Sequence, residues 1–599
     1  MERPRFEIPD CPLGEVELLE RELGVSGPLA QVLVRRGLAE PGRARAFLAA
    51  EEEHPPTAFA GIERAIEPIL RNAKSGERIT IHGDYDVDGV CSTAVLVRSL
   101  RRIGANVDWY LPDRASDGYG LNPQTVQRLA EGGTRLLVTV DCAITAVDEV
   151  AQALALGMEV VVTDHHAPRA DGVLPDAPIV HPALCGYPCP ELCATAVAYK
   201  LAQALEDAAA LQGSVCDRRA LQEDLDLVAL ATIADVVRLV GENRTLVRRG
   251  LRALAGTAKP GLRALMAVAR VDPGKLNERS VAFALAPRLN AAGRMHRADA
   301  GLELILTEDP ARATQVAQEL DRANYERRQV ETRIRYEAEA QIAALGERPA
   351  YVLAGEDWHA GVIGIVASRL AERNRRPVVL IALDGDLGKG SGRSIDAFDL
   401  LAGLTACGGH LRRFGGHRAA AGLEIDRGRV EQFAEAFCAH AESVLSLADM
   451  APVERVDAVV GGDQLGMELA EELLTLAPFG RGNPGVSLLV ADAMFRDLRP
   501  MGEGNKHLRF TLESCGARSR GVAFGTGGRL PVDEGEAAEA TFTLEVNEWK
   551  GVTEPRLVLR SARPSEAQST VPPAEGGCEA PSTVPPAVED GELVLFALS

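Results

Sequence analysis

The 599-residue chain contains no run of about 18 consecutive apolar residues, so it offers no transmembrane helix. Its opening residues, MERPRFEIPD, are charged and carry no apolar core. A secretory leader is therefore not expected, and a cytoplasmic location is. Cysteine is thin: 11 residues, an odd number, spread along the whole chain, which fits reduced thiols and not a disulfide framework. The densest stretch, HPALCGYPCPELC, places His181, Cys185, Cys189 and Cys193 four residues apart. That is not the C-x2-C spacing of structural zinc sites, and Pro188 and Pro190 point to a loop; zinc stands there as the minor alternative. Basic charge is also in deficit. There are 65 Lys and Arg against 86 Asp and Glu, a formal charge of −21, so the chain lacks the basic balance of a non-specific nucleic-acid binder. Positive charge is local instead. Arg244 to Arg270 is rich in arginine and has no acid, and RRQVETRIR (Arg327 to Arg335) and LRRFGGHR (Leu411 to Arg418) are basic as well. Taken singly, each fits a solvated helix face.

What is present is an ordinary globular composition, 46% hydrophobic and 25% charged, in a chain long enough for three or four domains. Residues 1–55 read as a polar helical segment closed by Pro55-Pro56. From about 75 to 165, short apolar runs (ERITIHGDYD, ANVDWYLP, RLLVTVD, MEVVVTDHH) alternate with helical patterns. This predicts βαβ units and a parallel sheet. Asp309-Pro310 is a helix start, and the Ala-, Glu-, Gln- and Arg-rich stretch to Leu345 predicts a long helix of roughly 50 Å joining two lobes. A second α/β unit begins at RPAYVLAGEDW, and alternation in NKHLRFTLES, RSRGVAF and EATFTLEVNEW predicts a small β-barrel. The tail repeats STVPPA at Ser569–Ala574 and Ser582–Ala587, a composition that cannot build a core, and ends in the acidic-apolar EDGELVLFALS.

The chemistry is concentrated in ITIHGDYDVDGVCSTA (Ile79–Ala94), where Asp84, Asp86 and Asp88 alternate behind an apolar run. Crowded carboxylates repel one another and are costly when buried. In open α/β sheets ligands sit beyond the carboxyl ends of strands. Asp84, Asp86, Asp88, Asp141, Asp164-His165-His166 and Asp235 can therefore converge on one crevice. If the first strand continues, the three alternating acids share a face; a turn at Gly89 would splay them. Hard oxygens suit Mg²⁺ or Mn²⁺, imidazole tilts the choice towards Mn²⁺, and this many ligands can hold two ions sharing a bridging carboxylate.

GDYDVDG, TVDC, TDHH and ATIADVV resemble the successive motifs of the DHH phosphoesterase superfamily. APRLNAAGRM, WHAGVIGIVASRL, GSGRS, FGGHRAAAG and PFGRGNP with KHLRFTL extend the resemblance, over about residues 20–563, to the RecJ family of bacterial single-strand-specific 5′→3′ DNA exonucleases. The resemblance implies a two-lobed α/β core: a catalytic domain (56–305), a connector helix (306–347) and a DHHA1-type substrate-binding domain (348–448). An OB-fold domain (449–563) and a disordered tail (564–599) would follow. It implies Asp86, Asp88, Asp141, His165 and Asp235 as metal ligands, with His82, Asp84 and His166 ligating or orienting beside them. It implies Arg114, Arg288, Asn290, Arg294, Ser391, Arg393 and His417 as the groups that hold the strand. Single-stranded DNA would be cut to 5′-mononucleotides in repair and recombination by a monomer, with a single-strand-binding protein and a RecQ-type helicase as partners.

Several positions depart from the family pattern: Ala143, Ala194 and Ala196 stand for glycines, His181 for Asn, Arg238 for Pro, and Ala360 for a larger or acidic residue. Two rivals follow from the same resemblance. One is a phosphodiesterase of short oligonucleotides or cyclic dinucleotides, which would lack the OB region. The other is an inactive replication scaffold, which would lack metal ligands.

Overall fold

The computed structural model describes residues 5–113, 120–212, 218–295, 299–549 and 551–565. Arg114, the STVPPA repeats and the acidic-apolar terminus lie outside them. The chain forms two compact units: one holds Ala50–Leu445 with the loop Pro478–Asn483, the other the first 49 residues with Ser446–Ala477 and the segment from Pro484 onward.

The larger unit begins with a five-stranded, all-parallel sheet in the order Val107–Tyr110, Ile79–His82, Leu136–Thr139, Glu159–Thr163, Ile179–Val180. Ile79–His82 and Leu136–Thr139 are buried along their whole length, as continuous apolar runs covered on both faces require. One face carries Ile79, Ile81, Leu136 and Val138 into a core with helices Val87–Arg102, Ala194–Leu211 and Leu225–Ala234. The other sends Leu137, Val160 and Val162 against helix Val147–Ala155. Strand order reverses between Ile79–His82 and Leu136–Thr139, so the crevice for a ligand opens beyond their carboxyl ends.

The connector helix runs from Pro310 to Leu345, 36 residues, about 54 Å at the standard rise. Asp309 caps it by accepting from the Ala311 N–H at 2.9 Å. Val316, Ala317 and Leu320 are part of the first core, and Ile334 and Ala338 of the second, so one rigid element is buried in both lobes. The second lobe is a mixed sheet ordered Arg413–Gly416, Ala420–Asp426, Leu387–Arg393, Val378–Asp384, Tyr351–Glu356, with helix Ala360–Asn374 packed on it.

In the smaller unit, strands Leu488–Met501, His507–Ser514, Ala517–Ala523, Val552–Pro564 and Ala537–Trp549 close into a barrel, because the first also pairs with the last. Helices Leu13–Leu23, Gly27–Arg35 and Pro41–Ala49 belong to this unit. Arg5–Glu7 adds a parallel strand to Val453–Arg455, and the Arg36–Asp457 ion pair (3.1 Å) is nearly buried. The N-terminal segment thus joins the barrel, an association over four hundred residues apart that sequence patterning does not carry.

Candidate metal centre and strand cleft

The strand ends at His82, and the chain turns at once. Gly83 and Gly89 permit this turn: a Cβ on Gly83 would lie 2.1 Å from Thr93 Oγ1, and one on Gly89 would lie 2.4 Å from the Asp84 carbonyl oxygen. The shared strand face for Asp84, Asp86 and Asp88 is therefore not what forms, and the turn comes before Gly89. Asp86 caps helix Val87–Arg102, its Oδ1 accepting from the N–H groups of Asp88 (2.9 Å) and Gly89 (3.0 Å). Asp88, inside the first helical turn, faces elsewhere and accepts from the N–H groups of Ala194 (2.7 Å) and Thr195 (2.8 Å) and from the Thr195 hydroxyl (2.6 Å). It thereby occupies the positive end of helix Ala194–Leu211, a natural seat for an anion.

The remaining ligands arrive from the neighbouring loops. Asp141 follows Leu136–Thr139, His165 and His166 follow Glu159–Thr163, and Asp235 ends helix Leu225–Ala234. His165 Nε2 lies 3.2 Å from Asp141 Oδ1 and 3.7 Å from both Asp88 Oδ2 and Asp235 Oδ2. Three ligand groups of metal-binding dimensions result: Asp84, Asp86 and Asp141; Asp88, His165 and Asp235; Asp141, His165 and His166. Asp141 and His165 are common to two groups each, so the three alternating acids divide between adjoining cation positions. His82 belongs to none of the three groups; its ring stacks on Tyr110, and its Nδ1 faces Cys142 Sγ at 3.6 Å.

Electrostatics favours a cation here. Burial, and then the charge of Asp88 and its neighbours, pushes the carboxyls of Asp86, Asp141 and Asp235 upward, Asp141 and Asp235 strongly. Burial holds the His165 imidazole down, which leaves it neutral and able to ligate. Asp141 Oδ1 and His165 Nε2 are buried with no hydrogen bond, the signature of a donor set built for an ion. Asp164 does a different job. Its carboxylate accepts from the N–H groups of His165, His166 and Ile144 and from His166 Nδ1 (2.7–3.1 Å). Burial opposes its charge, but these bonds outweigh it and hold the group at about 2. His166, partly exposed and bonded to Asp164, stays protonated up to about 9, its partial desolvation outweighed by that bond and the charge of Asp164.

The family departures are accommodated. Ala143 takes a left-handed φ of 82° beside Asp141 at 61°. Ala194 and Ala196 are buried in the helix that receives Asp88. His181 Nε2 donates to the His166 carbonyl (2.9 Å), and its Nδ1 accepts from Ala183 N–H (3.2 Å), so it steadies the D-H-H loop. That bonding, with Cys185 on the Ile179 carbonyl and Cys193 on Thr232, gives the H-x3-C run separate partners, and none of these residues joins a ligand group among the described residues. Arg238 lies 3.9 Å from Glu191, and Ala360 opens its helix on the cleft wall.

A cleft of about 770 Å³ opens between the two lobes, walled by Asp113, Gly293 and Arg294 on one side and His359, Lys389, Arg413 and Phe414 on the other. Asn290 Oδ1 accepts from Val87 N–H (3.1 Å), tying the PRLNAAGR helix to the acidic turn, and Arg294 Nη1 donates to the Gly361 carbonyl (2.9 Å), tying it to the second lobe. Ser391 and Arg393 lie on one strand, Oγ to Nη1 at 3.0 Å. A Cβ on Gly364 would lie 2.9 Å from that hydroxyl, so the glycine is what lets the helix approach. Arg288 is turned to Asp321 (2.8 Å) and the Ala284 carbonyl, and His417 sits exposed at a hairpin tip, in neither wall of the cleft. His359, Lys389 and Phe414 were not singled out from sequence, because the cleft wall is assembled from loops and strand edges far apart in the chain. Arg481, whose charge acts on Asp235, comes from the Pro478–Asn483 loop that sequence resemblance groups with the barrel.

Comparison with known proteins agrees with this geometry. The DHH family, N-terminal domain, matches residues 78–232; the DHHA1 domain matches 347–445; the RecJ OB domain matches 456–561. The single-stranded-DNA-specific exonuclease RecJ of Bacillus subtilis is 37% identical over 576 residues, covering 94% of this chain and 71% of that protein. The Escherichia coli enzyme of the same name is 36% identical, covering 84% and 91%. The crystal structure of RecJ from Thermus thermophilus in complex with Mn²⁺ superposes with a TM-score of 0.82 at 32% identity, covering 94% of this chain and 80% of that one. Motif order, the three matched domains and identity over nearly the whole length lead to one conclusion: the chain belongs to the RecJ family of single-stranded-DNA-specific exonucleases.

Proposed function

We propose that the protein is a metal-dependent exonuclease that shortens single-stranded DNA from its 5′ end to 5′-mononucleotides. The observation that carries this is the set of overlapping ligand groups that share Asp141 and His165, with the helix that holds their acidic turn through Asn290 also carrying Arg294 into a cleft with cationic side chains on both walls. Asp86, Asp88, Asp141, His165 and Asp235 would hold two ions, Mn²⁺ or Mg²⁺, with Asp141 shared and Asp84 completing the set. His82, at the end of its strand, would ligate or orient beside them. When bound, the ions supply an acidified water and neutralise charge on the leaving oxygen. The chain's own groups do the rest. The bond from Asp164 would keep His166 a cation at neutral pH, at the edge of the ligand groups. Arg294, Lys389 and Arg413 would hold the strand by its phosphates, with Ser391 and Arg393 at the terminal phosphate. Arg288, Asn290 and His417 would act around these, Asn290 by positioning the acidic turn. The barrel would track the rest of the strand.

The rivals lose ground: the OB domain is matched, and all five principal metal ligands fall within the ligand groups. We extend the reading to a monomer in the cytoplasm that works in repair and recombination with a single-strand-binding protein and a RecQ-type helicase. Chromatography of the products tests the activity. The expected result is 5′-mononucleotides from single strands and none from blunt duplex; products ending in 3′-phosphate, or equal cutting of duplex, would overturn it.

A further inference from the structure

The basic run Arg327–Arg335, which fits a solvated helix face when read alone, lines a cavity instead. The cavity measures about 350 Å³, within the size range of small-ligand sites. Its wall carries Arg288, Arg294, Arg327, Arg328, Arg335 and Arg369 against one carboxylate, Glu331, in a protein of net charge −21. Four of these arginines are engaged. Arg288 bonds Asp321, Arg294 bonds the Gly361 carbonyl, and Arg327 and Arg369 share Glu331. The guanidinium groups of Arg328 and Arg335 have no hydrogen bond or ion pair among the described residues, and Arg335 Nε is buried. A buried N–H left unsatisfied is costly, and an anion oxygen would satisfy it. Seven residues apart, Arg328 and Arg335 stand on one face of the connector helix. At the rim stands Phe283, 64% exposed, on a π-helical turn at Val281–Leu285, an irregularity that often marks ligand sites. An exposed ring beside unpaired guanidinium groups suits a base beside its phosphate.

We infer that this cavity is a second nucleotide-phosphate site, separate from the metal centre, in which Arg328 and Arg335 take the phosphate and Phe283 takes the base. Two sources share that chemistry: a nucleotide of the bound strand and a released 5′-mononucleotide. The strand source rests on the activity proposed above; binding of a free nucleotide does not.

The test uses the full chain and the double variant Arg328→Gln/Arg335→Gln. Binding of inorganic phosphate and of 5′-dTMP is measured in EDTA. Turnover of thymidine 5′-(p-nitrophenyl phosphate) with Mn²⁺ checks that the variant keeps an intact metal centre. The expected result is dTMP binding weakened about tenfold or more in the variant, with turnover of the small ester unchanged. Phe283→Ala should weaken dTMP and spare inorganic phosphate, and Arg335→Lys should restore part of the loss. If the released nucleotide is the occupant, inhibition by dTMP disappears in the double variant while KM for a single-stranded oligonucleotide holds. If the strand is the occupant, that KM rises. A double variant that binds dTMP and the oligonucleotide as the wild type does overturns the inference. A wild type that binds dTMP in EDTA but never shortens a strand overturns the proposed activity and leaves this site standing.

Discussion

Asp141 carries the account at the scale of single residues. Held with no hydrogen bond on Oδ1 among like charges, it costs the metal-free protein stability at neutral pH. Asp141→Asn, which removes the charge and keeps a side chain suited to the left-handed φ of 61°, should therefore stabilise the metal-free chain by about 1–2 kcal/mol while sharply reducing the thermal shift on adding Mn²⁺; both are read by calorimetry. Ala143, two residues on, sits at φ 82°, where a Cβ is strained. Ala143→Gly should raise stability by about 1 kcal/mol in denaturant titration, with the metal shift retained. The identities of these residues were readable because their chemistry is local: acids and imidazoles behind apolar runs. Their division between cation positions was not. It depends on Gly83 and Gly89, which turn the chain before a strand face can form, and on Asp88 being drawn to a helix end over a hundred residues away.

Among elements, the turn between strand Ile79–His82 and helix Val87–Arg102 is the critical one. Gly89→Ala would drive a methyl group into the Asp84 backbone. A loss of about 3 kcal/mol or more is expected in denaturant titration, together with loss of Mn²⁺ binding. The bond from His181 to the His166 carbonyl predicts a milder effect: His181→Ala should weaken Mn²⁺ affinity about 10-fold, measured by titration calorimetry. Apolar periodicity and the Asp309-Pro310 start make the parallel strands and the connector helix legible from sequence. The short strand Ile179–Val180 is too brief to leave a pattern. The arginine cavity is hidden for another reason. Whether a basic helix face meets water or a second helix is decided by tertiary contacts such as Arg369 on Glu331, not by the run itself.

For the whole molecule, metal and pH are linked. Asp86, Asp141 and Asp235 have folded-state pKa values above their unfolded ones, so they bind more protons when folded. Without metal, stability should fall as pH rises from the ordinary carboxylate range through those raised values. Ions that bind the deprotonated cluster offset this, so the Mn²⁺-induced rise in Tm should grow as pH rises above the ordinary carboxylate range. The matching of the first 49 residues to the barrel unit belongs to this scale too, and pairing between Arg5–Glu7 and Val453–Arg455 leaves no trace in local composition. The most direct measurement uses single-stranded DNA labelled at its 3′ end, with Mn²⁺, the wild type and Asp141→Ala. A ladder that shortens stepwise from the 5′ end is expected with the wild type, and an intact strand with the variant. A strand bound but left whole by the wild type, or cut equally by the variant, would contradict the proposed activity.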